Sequence, residues 1–225
     1  MKIYERVKDN RFVIVSFFTS GFYEGIMNEY LLPSVQKYDL SYYIEEISDE
    51  GNWGSNTNCK PLFIQRMLEK FKDTPIIWLD ADSKICKNPG LFDRIPEEFD
   101  MGCHYLDVDR WYNRVTDGRK ELLSGLLFFR RNNRVIAVVS NWARRVQVQP
   151  LIWEQKHLAE AVAKISVNIF KFPLEYSYIY SLPNGNVPFI KIADPVIIQY
   201  QASRQVKKEE KARNYKAQFY RRIRR

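Results

Sequence analysis

The first half of the chain alternates between apolar runs and segments with helical spacing. Residues 12–18 (FVIVSFF) form a continuous apolar run that ends at Thr19, Ser20 and Gly21, which predicts a buried strand of the parallel-sheet kind. Residues 23–38 have the spacing of a helix, which Pro33 is expected to end or kink, and residues 40–47 are typical of a second strand. A strand, a helix and a strand in this order predict a crossover between parallel strands.

The next segment ends in a pair of acidic residues. Residues 50–58 are polar and predict a loop, and residues 59–72 predict a helix with apolar positions such as Phe63, Met67 and Leu68 on one face. Residues 75–79 (PIIWL) then predict a short buried strand. Asp80 and Asp82 follow this strand directly, so we expect both carboxylates at the end of a central strand.

The second half is less regular but still mixes strands and helices. Strands are expected at residues 99–106 and 122–129, helices at 134–146 and 154–164, and a last extended stretch, interrupted by Pro195, at 188–200. These elements predict one α/β domain over residues 1–204. Its mixed, mainly parallel central sheet should be flanked by helices. Residues 205–225 form a basic amphipathic tail.

Composition narrows the class of protein. With 225 residues, 45% of them hydrophobic, the chain is long enough for one well-buried core. The three cysteines lack the paired spacing of a zinc site, so we expect reduced thiols. No stretch approaches the roughly 18 apolar residues of a membrane span, and the chain opens with charged residues. The expectation is therefore a cytoplasmic protein without a transmembrane segment.

The net charge of +8 is unevenly distributed. Residues 204–225 carry ten lysines and arginines against two acidic residues, and residues 110–145 carry nine against two. The stretch 73–109 has nine acidic residues against three basic ones. A basic segment and a basic tail around an acidic centre predict a polyanionic partner close to a metal site.

Asp80 and Asp82 are the strongest candidates for chemistry. Ligands of open α/β sheets bind at the carboxyl ends of strands, where this pair is expected. Carboxylate oxygens suit Mg²⁺ or Mn²⁺, which bind substrate phosphates through one or two carboxylates. An Asp-x-Asp tripeptide by itself often marks a solvated turn, but the preceding apolar strand favours the metal site. Asp107 and Asp109 form a competing pair, which we interpret as exposed or on the acceptor side.

Several segments in this order resemble the GT-A-fold nucleotide-diphospho-sugar glycosyltransferases, in the style of retaining family 8 enzymes and small bacterial or phage relatives. The segments that carry the resemblance are 51–53 (GNW), 60–64 (KPLFI), 75–82 (PIIWLDAD), 89–92 (PGLF), 123–129 (LSGLLFF), 154–158 (EQKHL) and 199–204 (QYQASR). Only the segment with the two aspartates is specific by itself. The resemblance implies a Rossmann-like GT-A fold, a nucleotide-diphosphate sugar, most simply a UDP-sugar, as donor, and Mn²⁺ or Mg²⁺ as cofactor.

The resemblance also implies roles for individual residues. The nucleotide would lie near Phe17, Thr19 and Tyr23, the diphosphate near Lys60, and the sugar beside the turn at Ser124 and Gly125.

Glu154 and Gln155 match an Asp-Gln pair near the donor sugar, with Glu in place of Asp. Together with Asp82 they are the catalytic candidates, and Glu154 is the candidate if a carboxylate nucleophile is used.

One departure from the family concerns the third metal ligand. The family's late histidine is absent, because His104 and His157 are the only histidines. Gln199 is the candidate in its place, with Gln201 or water as alternatives. Arg204 and Lys207 are candidate contacts of the diphosphate, since a guanidinium matches phosphate oxygens.

The acceptor stays open between two hypotheses. Basic residues in segment 110–145 and in the tail, with Trp111, Tyr112 and Trp142 among them, would suit DNA that carries a hydroxymethylated base. The same tail would equally suit an anionic membrane surface and a glycan acceptor there. A solvated tail with no specific partner is the third interpretation. The resemblance favours transfer with retention of configuration.

Two rival functions remain at this stage. A non-enzymatic nucleic-acid-binding module would leave the acidic pair incidental. Metal-dependent phosphoryl or nucleotidyl transfer also uses paired carboxylates, although the sequence lacks a GxxxxGK[ST] phosphate-binding loop.

Overall fold

A computed structural model describes residues 1–8, 11–112, 118–180 and 190–204. The strands in these ranges are β1 Ile3–Arg6, β2 Val13–Thr19, β3 Tyr42–Ile47, β4 Ile76–Leu79, β5 Ser83–Ile85, β6 Met101–Asp107, β7 Lys120–Phe129, β8 Ile169–Lys171, β9 Tyr178–Ile179 and β10 Ile197–Gln199. The helices are α1 Phe22–Glu29, α2 Leu31–Lys37, α3 Trp53–Asn58, α4 Lys60–Lys70, α5 Val108–Tyr112, α6 Asn133–Val148 and α7 Glu154–Lys164.

Seven strands form the central sheet in the order β1-β3-β2-β4-β7-β6-β8. The pairing directions make β3, β2, β4, β6 and β8 run one way and β1 and β7 the other. The predicted mixed, mainly parallel α/β sheet is therefore confirmed. Because β7 runs against β4, the first half of β7 lies at the carboxyl end of β4, where Leu79 pairs with Leu126.

A second, three-stranded sheet in the order β5-β10-β9 lies just beyond the end of β4. Strand β10 is antiparallel to β5 and parallel to β9. Gln199 of β10 pairs with Ser83, one residue after Asp82. This small sheet therefore brings a segment from the end of the described chain to the acidic pair.

Successive side chains along the central strands point to opposite faces of the sheet, and each face has its own hydrophobic core. In β4, Ile76 and Trp78 belong to the cluster under α4, α6 and α7, whereas Ile77 and Leu79 belong to the cluster under α1, α2 and the small sheet. Phe129 of β7 lies in the first cluster and Phe128 in the second. Both faces are covered, which explains why the central strands are continuous apolar runs rather than half-polar ones.

Two element predictions were wrong in detail. The helix expected over residues 23–38 breaks at Tyr30, and Pro33 is the third residue of α2. Proline is tolerated there because N–H groups of a first helical turn have no partner within the helix. The expected loop at residues 50–58 contains α3, which begins after Asn52, whose side chain accepts a hydrogen bond from the Ser55 amide.

The predicted domain boundary at residue 204 falls at the last residue described, and the tail 205–225 lies outside the described residues. Both stay predictions. Among the helices of the described ranges, none has the length and apolar character that a membrane crossing requires.

Gly102 in β6 is closely surrounded by neighbouring buried side chains. A Cβ at this position would lie 2.8 Å from Cε2 of Phe172 and 3.2 Å from Cβ of Phe128. We expect Gly102→Ala to lower the free energy of unfolding by about 1–3 kcal/mol, because the buried rings would have to shift. Urea denaturation measures this change. The slope of the free energy of unfolding against urea concentration should stay the same in the variant.

Gly25→Ala is the matched control, because a Cβ on this exposed helical residue meets no atom within 4 Å. It should leave stability unchanged or raise it by up to about 1 kcal/mol. Equal effects of the two substitutions would contradict the close approach at Gly102.

Candidate active site

A cavity of about 550 Å³ opens at the carboxyl ends of β2 and β4 and beside the first half of β7. Its volume lies within the usual range for small-molecule sites. Asp80 and Asp82 line its floor, so both carboxylates predicted from the sequence face one cavity. Its position is the one at which open α/β sheets bind ligands.

Asp82 is a buried carboxylate beside a second negative charge. It is 8% exposed, and its Oδ2 accepts a hydrogen bond of 2.7 Å from the Ala202 amide. Burial and the charge of Asp80 raise the pKa of Asp82 to about 7. A divalent cation between the two aspartates would relieve this repulsion.

Gly125 leaves open a space that a further oxygen ligand, from Gln199, shares with Asp80. A Cβ at Gly125 would lie 3.2 Å from Asp80 Oδ2 and 3.2 Å from Gln199 Oε1. Gln199 is held there because its Oε1 accepts a hydrogen bond of 2.8 Å from Ser83 Oγ.

These oxygen donors fit a hard cation such as Mg²⁺ or Mn²⁺. Among the described residues no group of three or more His, Cys, Asp or Glu side chains is placed to hold a metal ion. The Gln199 amide oxygen beside Asp80 is the candidate for a third protein ligand.

Lys60 lies behind the cavity wall rather than in it. The side chain is 4% exposed, and its Nζ lies 2.9 Å from Asp80 Oδ1 and 3.1 Å from Glu154 Oε1. Burial lowers the pKa of Lys60, but the two carboxylates outweigh it and hold the pKa above its ordinary value. Lys60 therefore contacts Asp80 from outside the cavity lining, and the predicted diphosphate contact stays a prediction.

Glu154 is equally remote from the cavity. It is 1% exposed, and its Oε1 accepts a hydrogen bond of 2.7 Å from Ser124 Oγ as well as the contact from Lys60. A carboxylate buried beneath the wall cannot reach a substrate carbon, so the structure does not support Glu154 as a nucleophile.

Its neighbour Gln155 does line the cavity, as do Ser124 and Gly125. Gln155 Oε1 accepts a hydrogen bond of 3.0 Å from the Ser124 amide. Gln155 Nε2 donates one of 2.8 Å to Glu121.

The residues expected around the nucleotide also reach the cavity. Phe17, Thr19 and Tyr23 line it from β2 and α1, and Arg204 lines it from the segment after β10. That segment is held at the site because the Tyr200 and Ala202 amides bond to Asp82. Lys207 lies outside the described residues.

Several cavity residues were given no site role by the sequence analysis, among them Trp53, Arg119, Glu121 and Trp153. Trp53 belongs to segment 51–53, which carries the family resemblance, but it was given no site role because residues 50–58 were predicted as a loop. Asn52 is a residue type that commonly caps a helix start. Arg119 lies just before β7 and Glu121 is its second residue, and only the reversed direction of that strand brings them to the cavity. No local signal pointed to them.

The predicted basic surface over residues 110–145 is dispersed by the fold. Arg119 reaches the cavity, whereas Arg130, Arg131 and Arg134 follow the opposite end of β7. Arg130 donates to backbone carbonyls of residues 95–99, Arg131 pairs with Glu69 at 3.0 Å, and Arg134 pairs with Asp100 at 2.8 Å. The described part of this segment therefore does not present one continuous basic face.

Two of the three aromatic residues proposed to stack on bases, Trp111 and Trp142, are buried. Trp111 is 3% exposed, and Trp142 is fully buried with its Nε1 donating to the Glu154 carbonyl at 2.9 Å. Neither ring can stack on a nucleobase. The side chain of Tyr112 lies outside the described part of the chain.

The competing pair Asp107 and Asp109 is absent from the cavity wall. Its carboxylates accept hydrogen bonds from the amides of Arg110 and Gly118, each at 3.0 Å. His104 and His157 also lie outside the wall, and the fully buried His157 bonds to the Gln149 carbonyl through Nε2 at 3.0 Å.

Solved structures share this fold. A glycosyltransferase involved in the glycosylation of the major capsid of PBCV-1 matches with a TM-score of 0.57 and 15% identity, over 84% of this chain and 91% of that chain. The WbbM bifunctional glycosyltransferase matches with a TM-score of 0.52 and 10% identity, over 88% of this chain. The match spans about half of WbbM, 47% of that chain. The chain therefore has the GT-A glycosyltransferase fold.

The sequence itself gives no such match. No protein-family model matches it, and no curated protein does.

The buried Lys60 cluster should contribute strongly to stability. We expect Lys60→Met to lower the free energy of unfolding by about 3–5 kcal/mol, because it leaves buried carboxylates without their counter-charge. Lys70→Met on the same helix is the control, since its ion pair with Glu5 is exposed and should contribute no more than about 1 kcal/mol. Urea denaturation of both variants is the measurement, and equal losses would contradict the buried cluster.

Gly125→Ala tests the metal site without replacing a candidate ligand. The added methyl would occupy the space between Asp80 and Gln199, so we expect the affinity for Mn²⁺ to fall at least about tenfold while the thermal unfolding temperature stays near that of the wild type. Mn²⁺ titration followed by electron paramagnetic resonance gives the affinity. Gly25→Ala should bind Mn²⁺ as the wild type does, and unchanged binding by Gly125→Ala would count against this site.

Proposed function

We propose that this protein is a glycosyltransferase that moves a sugar from a nucleotide-diphosphate sugar, most simply a UDP-sugar, to an acceptor hydroxyl with the help of Mn²⁺ or Mg²⁺. The observation that carries the proposal is that Asp80 and Gln199 meet at the space left by Gly125, with Asp82 lining the same cavity at the carboxyl ends of the strands. The GT-A fold supports the same function.

The cavity wall suggests how the donor lies. Phe17, Thr19 and Tyr23 would contact the nucleoside, and the Arg204 guanidinium would contact diphosphate oxygens. The sugar would then lie between Gly125 and Gln155, next to the Ser124 amide that Gln155 holds. A bound cation would neutralise the negative charge that develops on the departing diphosphate.

The transfer needs no strong protein base. The acceptor oxygen bonds to the anomeric carbon while the bond between that carbon and the phosphate oxygen breaks. The bonding electron pair stays on the phosphate oxygen, which takes the acceptor proton. We propose retention of configuration, as the family resemblance implies.

Lys60 and Glu154 act as positioning residues in this scheme. Lys60 fixes Asp80 Oδ1, and Glu154 fixes the Ser124 hydroxyl, so the wall is held before substrate arrives. Their burial keeps both charges away from the reacting atoms.

Two of the sequence features that favoured a DNA acceptor do not form a DNA-binding surface. The described basic residues of segment 110–145 are dispersed, and Trp111 and Trp142 are buried. The remaining support is the tail 205–225, which lies outside the described residues. We therefore propose a glycan acceptor, and the non-enzymatic nucleic-acid-binding module is disfavoured for the same reasons.

The test is a donor screen with Asp82→Asn as the variant. Asn keeps an oxygen for the Ala202 amide but removes the charge. We expect the wild type to bind UDP in the presence of Mn²⁺ and to release UDP and free sugar slowly from one UDP-sugar. In Asp82→Asn, Mn²⁺-dependent affinity for UDP should fall at least about a hundredfold. Calorimetry and ³¹P NMR are the measurements.

Asp107→Asn is the matched control, since this aspartate lies outside the cavity wall. It should bind UDP as the wild type does. Release of a nucleoside monophosphate and a sugar phosphate would instead indicate attack at phosphorus and overturn glycosyl transfer. Binding of UDP that is independent of metal would overturn the metal site.

A further inference from the structure

Two tryptophans at one end of the cavity have no part in the donor site described above. Trp53 comes from the first position of α3 and Trp153 from the residue before α7, and both line the cavity. Their ring centroids are 6.3 Å apart with an angle of 50° between the planes. Asn58 Nδ2 donates to the Pro150 carbonyl at 2.9 Å, which ties the two segments together. We call Trp53 and Trp153 the tryptophan shelf.

The exposure of the shelf points to a ligand. Trp153 is 40% exposed, whereas Trp78, Trp111 and Trp142 are at most 3% exposed. An aromatic side chain of this size left open to water in the wall of a cavity is typical of a binding site.

Polar groups line the same cavity as the shelf. Glu121 and Gln155 line the cavity with Arg119 and Lys156, and Glu121 lies 3.8 Å from Arg119. Gln155 bonds to Glu121 at 2.8 Å and to the Ser124 amide at 3.0 Å. Hydrogen bonds therefore link Glu121 through Gln155, two residues after Trp153, to the Ser124 amide.

We infer that the tryptophan shelf and Glu121 form the acceptor subsite and that the acceptor is a neutral pyranoside. This inference rests on the proposed glycosyltransferase function and adds the class of acceptor to it. A pyranose has an apolar C–H face that packs on an aromatic ring and a rim of hydroxyls that donate to a carboxylate or amide oxygen.

The geometry disfavours a nucleobase in this place. A flat base held between two rings needs parallel planes about 7 Å apart, twice the usual stacking distance. The shelf rings are tilted by 50° at 6.3 Å, so they present adjoining faces rather than a slot. Glu121 would also repel the phosphates of a nucleic acid, whereas it favours hydroxyl donors.

The experiment compares transfer to two kinds of acceptor by the full-length protein with the donor found by release of UDP. The probes are p-nitrophenyl glycosides of hexoses, deoxyhexoses and N-acetylhexosamines, and duplex DNA with hydroxymethylcytosine. Mass spectrometry detects the added sugar. We expect transfer to at least one glycoside and none to DNA.

Variants of Trp153 then locate the subsite. Trp153→Ala should raise the KM for the glycoside about tenfold and change the KM for the donor by no more than a factor of about two. Trp153→Tyr should recover part of the lost affinity, because it restores a ring. Leu151→Ala, at a fully exposed residue two positions away, is the control and should leave both constants unchanged.

Three outcomes would overturn the acceptor subsite. They are transfer to DNA but to no glycoside, no transfer to any probe while UDP is still released from the donor, and an unchanged glycoside KM in Trp153→Ala. If the wild type neither bound UDP nor cleaved any donor, that result would instead contradict the proposed function itself. The two failures are therefore distinguishable.

Discussion

The buried ion pairs of Lys60 hold this site together. One ammonium group lies within 3.1 Å of both Asp80 and Glu154 and contacts the Ser124 carbonyl at 3.2 Å. It therefore ties α4, the end of β4, the middle of β7 and the start of α7 to one point. Charges at this depth are tolerated only when they are mutually compensated, so each partner depends on the others. The cavity floor is fixed by this compensation.

The direction of β7 decides what faces the donor. Had β7 run parallel to β4, its carboxyl end, with Phe128 and Phe129, would lie beside Asp80. Because β7 is antiparallel, its first half lies there, and the Gly125 carbonyl accepts a hydrogen bond from the Asp80 amide at 3.0 Å. The same reversal brings Glu121 to the cavity and sends Arg130 and Arg131 to the far end. One topological choice thus separates the polar site from most of the described basic residues in that segment.

The distribution of charge along the sequence was a poor guide to binding partners, because many arginines form ion pairs with acidic side chains of the same chain. Arg134 neutralises the buried Asp100, Arg145 pairs with Glu160, and Arg66 pairs with Glu45. The tryptophan shelf, with its half-buried Trp53 and exposed Trp153, carries more information about the acceptor than the count of arginines does. Both tryptophans lie in the wall of the cavity, whereas paired arginines add little net field at a distance.

The sequence by itself determined the buried strands and the position of Asp80 and Asp82 after one of them, because apolar runs and the residues that follow them are local features. It missed the short strands β5 and β8, in which three residues carry too little pattern. Only the tertiary structure decided that Gln199 meets Ser83, 116 residues earlier, and that Lys60 meets Glu154, 94 residues later. It also decided that Glu154 and Trp142 are buried, since burial depends on which elements pack together rather than on neighbours along the chain.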